Sequence, residues 1–265
     1  MRHGKCGEQM KVVILVGGKG TRIGEESRFR PKPMVEIGGR PILWHIMKWY
    51  SRFGFHDFIL CCGYKGHLIK QYFVNYYSRY SDVSIDLKNG EKHYLKSEIE
   101  PWKVTLINTG LNTFTAGRIL KIKEYVKDEE FLFTYGDGVS DVDILKLLEC
   151  HHQHGRTATI TVTKPDGRFG AIKIEECSGR ILDFKEKARS DQSWVNAGYG
   201  VFSPDIFGYL GNGSDMLEKK PFELLAENNQ MTAYCHPGFW SPMDTMIDKE
   251  YLERLWYSGD APWKA

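Results

Sequence analysis

No run in this 265-residue chain is long and apolar enough to cross a membrane. A spanning helix needs about 20 such residues, whereas the longest unbroken runs, residues 12–16 and 58–62, have the length of strands. The first ten residues carry Arg2, His3, Lys5 and Glu8 and no apolar core, so they lack the pattern of a signal peptide. They read as an N-terminal extension, residues 1–10, with the fold starting near Lys11. Net charge is also missing: Lys and Arg total 36, Asp and Glu 34, leaving +2. That balance excludes a generic nucleic-acid binder, which shows a basic excess. With aromatics at 13%, it also argues against disorder. Cysteine is sparse: 6 in all, with no Cys-x-x-Cys pair, which excludes a disulfide scaffold and a structural zinc site. The expected state is reduced thiols in a cytoplasm, most of them in the core. No internal repeat, low-complexity segment or linker divides the chain, so one domain is expected.

What is present is an alternation of short apolar runs and helical patterns. Val12-Val13-Ile14-Leu15-Val16 suits a strand buried on both faces, as in a parallel sheet. A loop over residues 17–40 follows, and Pro41 opens a helix whose apolar face is Leu43, Ile46, Met47 and Tyr50. Residues 58–62 read as a strand, 68–76 as a helix, 104–107 as a strand and 116–126 as a helix. Residues 131–134 form a strand running into Gly136-Asp137-Gly138, and a helix leads from Ile144 toward His154. This is the grammar of a parallel α/β sheet. From Thr157 it changes: residues 157–163, 171–174, 181–184 and 198–202 are strand-like and are expected to extend the sheet with mixed or antiparallel strands. Short helices at 203–209 and 222–228, a strand at 231–235 and a last helix at 245–256 complete the reading.

Open parallel sheets bind ligands beyond the carboxyl ends of their strands. Gly17-Gly18-Lys19-Gly20-Thr21-Arg22 stands at such an end. Glycines let the backbone approach a ligand, their N–H groups can form an anion nest, and the Arg22 fork suits phosphate. The motif G-x-x-x-x-G-K-[ST] fails, because the sixth residue from Gly17 is Arg22. The dinucleotide pattern G-x-G-x-x-G fails from Gly18, because it ends on Ile23 and runs into Pro31 and Pro33 instead of a helix. The two prolines are expected to hold Lys32 in extended backbone. Residues 17–40 hold six basic side chains against three acidic, a local +3 that exceeds the +2 of the whole chain. A small polyanion such as a triphosphate fits that patch. For Asp137, flanked by glycines, a metal ligand and a turn cap are both readings; Asp244, followed by Thr245, reads as metal ligand or N-cap. Asp141 and Asp143 read either as a D-x-D motif of a metal-dependent glycosyltransferase or as caps of the next helix.

Residues 15–22 followed by Lys32-Pro33 resemble the signature of the sugar-1-phosphate nucleotidylyltransferases, and the likeness runs from Lys11 to Lys264. Residues 61–66, 131–138 and 236–244 resemble the cytidylyltransferase branch, whose substrates are CTP and glucose 1-phosphate. The resemblance implies a single-domain Rossmann-like α/β fold over residues 11–265. Its nucleotide-binding part would lie at about 11–140 and its sugar-phosphate part at about 141–265. It implies in-line attack of a sugar phosphate oxygen on the α-phosphorus of the triphosphate, with pyrophosphate leaving, in deoxysugar or polysaccharide precursor synthesis. Positioning and charge neutralisation supply most of such catalysis.

The resemblance also assigns residues. Leu15, Val16, Gly17, Gly18, Lys19, Gly20, Thr21, Thr113, Arg118 and Gly136 would bind nucleotide. Arg22 would hold the β/γ-phosphates and Lys32 the α-phosphate, and Asp137 and Asp244 would share one Mg²⁺. Gly170, Glu186, Lys187, Asn196 and Gly198 would bind sugar phosphate, with Lys187 on the phosphate and Glu186 on a sugar hydroxyl. Ala188 stands where the family usually has proline, and Ala197 and Tyr199 depart from its commonest form. UTP or dTTP in place of CTP is the alternative, since pyrimidines are read there mostly by backbone groups. A non-catalytic relative is a further alternative, but it would have lost Arg22, Lys32 or an acidic ligand. Small-molecule substrates, no nucleic acid, no membrane and a homo-oligomer are the implied partners. Tyr76, Tyr77, Tyr80 and Tyr94 read as core or as a subunit interface.

Overall fold

The β-branched run at the start of the fold becomes β1 (Lys11–Val16), buried from Val12 onward. The computed structural model that shows this describes residues 10–20, 23–24, 26–97, 99–164, 171–175, 180–185 and 194–265. β1 pairs in parallel with β4 (Asp57–Cys62) on one side and with β8 (Phe131–Tyr135) on the other. β4 pairs in parallel with β7 (Lys103–Asn108). Beyond β8 the sheet turns mixed, as expected. β13 (Val195–Phe202) is antiparallel to β8 and to β10 (Ala158–Thr163), and β14 (Met231–Cys235) runs parallel to β10. The seven strands lie in the order β14-β10-β13-β8-β1-β4-β7.

The period of two along β1 divides the core into two layers. Val12, Ile14 and Val16 join Ile46, Met47 and Tyr50 of α2 (Ile42–Arg52) on one face. Val13 and Leu15 meet Ile119 of α5 (Thr115–Leu120) and Leu225 of α8 (Lys220–Glu227) on the other. Helix ends follow local chemistry. Asp143 caps α7 (Ile144–His154) by accepting from the Leu145 and Lys146 amides, and Gly155 ends it at φ 58°. Thr245 and Asp248 form a capping box on α9 (Met246–Ser258).

Several expectations need correction. Pro41 is the cap of α2 instead of its first residue. The long loop after β1 contains α1 (Glu26–Phe29) and a tight turn at β2 (Glu36–Ile37) and β3 (Arg40–Pro41). The helix expected over 68–76 is two, α3 (Gly66–Val74) and α4 (Tyr76–Tyr80), broken at Asn75. Likewise the helix over 116–126 splits into α5 and α6 (Lys123–Val126). A hairpin of β5 (Ser81–Asp86) and β6 (Glu91–Ser97) was not expected, because its residues are largely polar and exposed. β9 (Gly138–Ser140) also escaped notice at three residues. β11 (Ala171–Glu175) and β12 (Arg180–Lys185) pair with each other as a separate ladder and do not extend the main sheet. Of the four described cysteines, Cys61 and Cys62 are buried, Cys150 is half-buried and Cys235 is exposed, so the core role holds for two. Cys6, Cys177 and the extension 1–9 lie outside the described residues. Tyr76 is core, whereas Tyr77 and Tyr94 are exposed and pack on one another.

His45 ties the β2–β3 turn to the helices. Its Nε2 donates to the Ile37 carbonyl at 2.8 Å, and its ring meets Trp256 of α9 edge-on, 4.7 Å between centroids. Burial holds its pKa down to about 4, from an ordinary 6.5. The neutral imidazole is therefore the folded form, and the unfolded chain takes up a proton first as pH falls. Stability is full above pH 6.5 and is lost as pH falls through about 4. The shift corresponds to about 3 kcal/mol. Urea unfolding of wild type and His45→Gln at pH 7 and pH 4 should show the wild type losing about 3 kcal/mol more than the variant over that range.

Candidate active site

Parallel pairing brings three strand ends to one edge. Val16 of β1 is level with Cys62 of β4, and Leu15 with Tyr135 of β8. The loops that leave these ends carry Gly17-Gly18, Gly63 and Gly136-Asp137. Arg118 of α5 reaches under them and is buried. It donates to the Gly17 carbonyl at 3.0 Å, to Thr109 Oγ1 at 2.6 Å and to the Gly110 carbonyl at 2.9 Å. A Cβ at Gly17 would fall 2.1 Å from this guanidinium, and one at Gly63 2.4 Å from it. The arginine crowds both positions, and at Gly63 the Gly17 carbonyl, 2.7 Å from such a Cβ, crowds it further. Burial lowers the Arg118 pKa from its ordinary value.

Lys32 is buried beside the same loop. Pro31 and Pro33 do not hold it in extended backbone as expected; Lys32–Met34 is a 3₁₀ turn, with the Met34 amide donating to the Pro31 carbonyl at 2.8 Å. Proline at its start leaves no donor unsatisfied there. Gly20, at φ 61°, lies against Lys32, where a Cβ would come within 2.9 Å of the lysine Cβ. Lys32 Nζ donates to Asp137 Oδ2 at 2.7 Å and to Asp244 Oδ1 at 2.6 Å.

The two carboxylates are far apart in sequence and are aligned by a short ladder. β15 (Trp240–Pro242) pairs antiparallel with β9, and the Met243 amide donates to the Asp137 carbonyl at 2.8 Å. Asp137 leads into β9 and Asp244 follows β15, so both lie at one end of that ladder. Thr245 takes the N-cap of α9, which removes the cap reading of Asp244. Asp143 is a cap, as one reading had it, but Asp141 accepts from His236 instead.

A cleft of about 310 Å³ opens over the glycine loop. Leu15, Val16, Gly17, Gly18, Gly20, Lys32, Thr113, Arg118 and Gly136 line it, with Asp137 at its edge. Lys19 is exposed on the same loop. A smaller cavity of about 70 Å³ is lined by Asn196, Gly198 and Trp240. Asp137 and Tyr135 border both cavities, and Lys32 lines the larger one. Thr21, Arg22, Gly170, Glu186 and Lys187 lie outside the described residues.

Lining residues that the sequence reading did not assign include Phe114, Tyr135, Met216 and Trp240. Tyr135 had a signal, since it stands next to Gly136-Asp137. Its hydroxyl donates to Glu218, and burial and that carboxylate together raise its pKa well above the ordinary range. Glu218 also accepts from Thr115 at 2.9 Å, so residues far apart in sequence tie the rim of the cleft together.

The donor set suits a hard divalent cation. Two carboxylates come within 2.7 Å of one cationic atom, and Mg²⁺ takes one or two carboxylates with phosphate oxygens and water completing its shell. Among the described residues no cluster of three or more His, Cys, Asp or Glu could cage a metal by itself. A metal held here would take the two carboxylates and complete its shell with water or phosphate oxygens.

The chain is 50% identical to the glucose-1-phosphate cytidylyltransferase of Salmonella typhi, over 96% of this chain and 99% of that one. It is 42% identical to the probable glucose-1-phosphate cytidylyltransferase of Bacillus subtilis, over 96% and 99%. Among solved structures, HddC from Yersinia pseudotuberculosis matches with a TM-score of 0.67 at 22% identity, covering 93% of this chain and 99% of that one. The UTP-bound UGPase of Acinetobacter baumannii matches at 0.68 and 16%, covering 93% of each. These two likenesses concern the fold alone. The pattern of the nucleotidyl transferase family matches residues 11–246, and the chain belongs to that family.

Proposed function

We propose that the protein transfers a cytidylyl group from CTP to α-D-glucose 1-phosphate, giving CDP-glucose and pyrophosphate. One observation carries the reading: a buried lysine in a glycine-floored cleft, flanked by two carboxylates, one of which, Asp137, also borders a second cavity. Identity of 50% to a protein of that name over nearly the whole chain supports the choice of substrates. On this reading residues 11–140 bind the nucleotide and residues 141–265 the sugar phosphate.

The chemistry must bring two polyanions together, so its barrier is largely electrostatic. Lys32 would meet the α-phosphate, where charge builds as the sugar phosphate oxygen attacks and the bond to pyrophosphate breaks. Arg22, by its place in the motif, would hold the departing β/γ-phosphates. Asn196 and Gly198 line the smaller cavity, which suits the sugar; Glu186, Lys187 and Gly170 would complete that side. Asp137 and Asp244 would hold Mg²⁺, which when bound neutralises and orients the triphosphate. Arg118 would act by fixing the Gly17 carbonyl, since its guanidinium is turned to backbone. The enzyme would work in the cytoplasm as a homo-oligomer. The exposed Ile85, Leu87 and Leu95 of the β5–β6 hairpin support an oligomer.

With Mg²⁺ and α-D-glucose 1-phosphate, pyrophosphate release should be fast with CTP and at least about tenfold slower with UTP or dTTP, the direct test of base choice. A preference for either of those would overturn the cytidylyl assignment. Lys32→Met should lower kcat by about 10² to 10³, the cost of losing one charge-stabilising donor. Asp137→Asn should lower turnover by at least about 10² while moving the unfolding midpoint by no more than about 2–4 °C, because this side chain is partly exposed and Lys32 keeps Asp244.

A further inference from the structure

We infer that His236 is a positioning residue for the reaction: it locks the register of the β9–β15 ladder and so sets how the Asp137 and Asp244 carboxylates face one another. The inference rests on the proposed role of those two carboxylates as metal ligands. The ladder has three paired positions, Trp240 with Ser140, Ser241 with Val139 and Pro242 with Gly138. So short a ladder does little to fix its own register. A slip of one residue would carry Asp244 about 3.3 Å past Asp137 and turn its side chain to the other face.

At the end of the ladder away from the carboxylates stands a buried clamp. His236 Nε2 lies 2.9 Å from Asp141 Oδ1, 3.1 Å from the Phe239 carbonyl and 3.3 Å from Ser140 Oγ. A carboxylate and a carbonyl only accept, so Nε2 carries the proton and donates. The Phe239 carbonyl also accepts from Ser140 Oγ at 2.7 Å and from the Asp141 amide at 3.2 Å. The His236 amide donates to the Val162 carbonyl at 2.9 Å, which ties the clamp to β10 of the main sheet. Gly238 closes the turn: a Cβ there would fall 2.5 Å from Asp141 Oδ1 and 2.7 Å from the imidazole. His236, Asp141 and Ser140 line neither cavity, so the clamp acts through the two strands it joins.

The test measures Mn²⁺ binding to the whole protein by water-proton relaxation, beside the thermal midpoint. His236→Ala should bind Mn²⁺ about tenfold more weakly or worse, the usual cost of losing an outer-shell support. The half-saturating Mg²⁺ for turnover should rise in parallel, while KM for CTP at saturating Mg²⁺ stays nearly unchanged. His236→Gln keeps an N–H near the Nε2 position and should recover most of the affinity. A purely structural histidine would lower the midpoint and leave Mn²⁺ affinity within twofold of wild type, and that result would overturn the inference. Asp137→Asn is the control: its loss of Mn²⁺ while His236→Ala keeps it would sink the clamp alone. Unchanged binding in Asp137→Asn would sink the metal reading and the clamp with it. Should His236→Ala fail to fold, Asp141→Asn weakens the same clamp with little change of shape and carries the same expectation.

Discussion

A lone ammonium buried in a protein costs several kcal/mol, and Lys32 is almost wholly buried. It is held there by two carboxylates at 2.7 and 2.6 Å, from segments more than a hundred residues apart in sequence. That requirement reaches outward through the structure. Pro31 caps the 3₁₀ turn that aims the lysine, Pro33 lies within it, and Gly20 makes room beside the lysine stem. The β9–β15 ladder brings Asp244 to Asp137, and the capping box of α9 frees Asp244 from helix duty by giving the cap to Thr245. Each device is local, and all converge on one charge cluster.

The glycine loop has a second anchor in Arg118. Arg118 lies beneath the ends of β1 and β4 and donates to the Gly17 carbonyl. A planar fork with several donors can satisfy acceptors spread along its edge at once. The consequence is a Gly17 carbonyl held by a hydrogen bond while Gly17, Gly18 and Gly20 line the cleft.

The parallel half of the fold was legible because buried strands advertise themselves. Residues 12–16, 58–62 and 131–133 are continuous apolar runs, and the structure pairs all three. Where strands are exposed or very short, the signal fades. The polar β5–β6 hairpin and the three-residue β9 escaped for that reason. The separate β11–β12 ladder was read as part of the sheet, because strand pattern says nothing about partner choice. The same limit applied to carboxylates. Asp137, Asp141, Asp143 and Asp244 each had two readings from neighbours alone, and tertiary contacts separated them into a Lys32 pair, a His236 partner and a cap.

By itself, the sequence determined the α/β class, the place of the glycine loop at a strand end and the local positive charge of residues 17–40, since these follow from short-range pattern and composition. It also carried the motifs by which the chain falls in the nucleotidyl transferase family. Only the tertiary structure decided that Lys32 is a buried ion-pair centre, that Arg118 faces backbone, and that Tyr135 and Trp240 border the cavities. Those are facts of packing between distant segments. A side chain's partner across 105 or 212 residues is set by strand order and register, which no local spacing encodes.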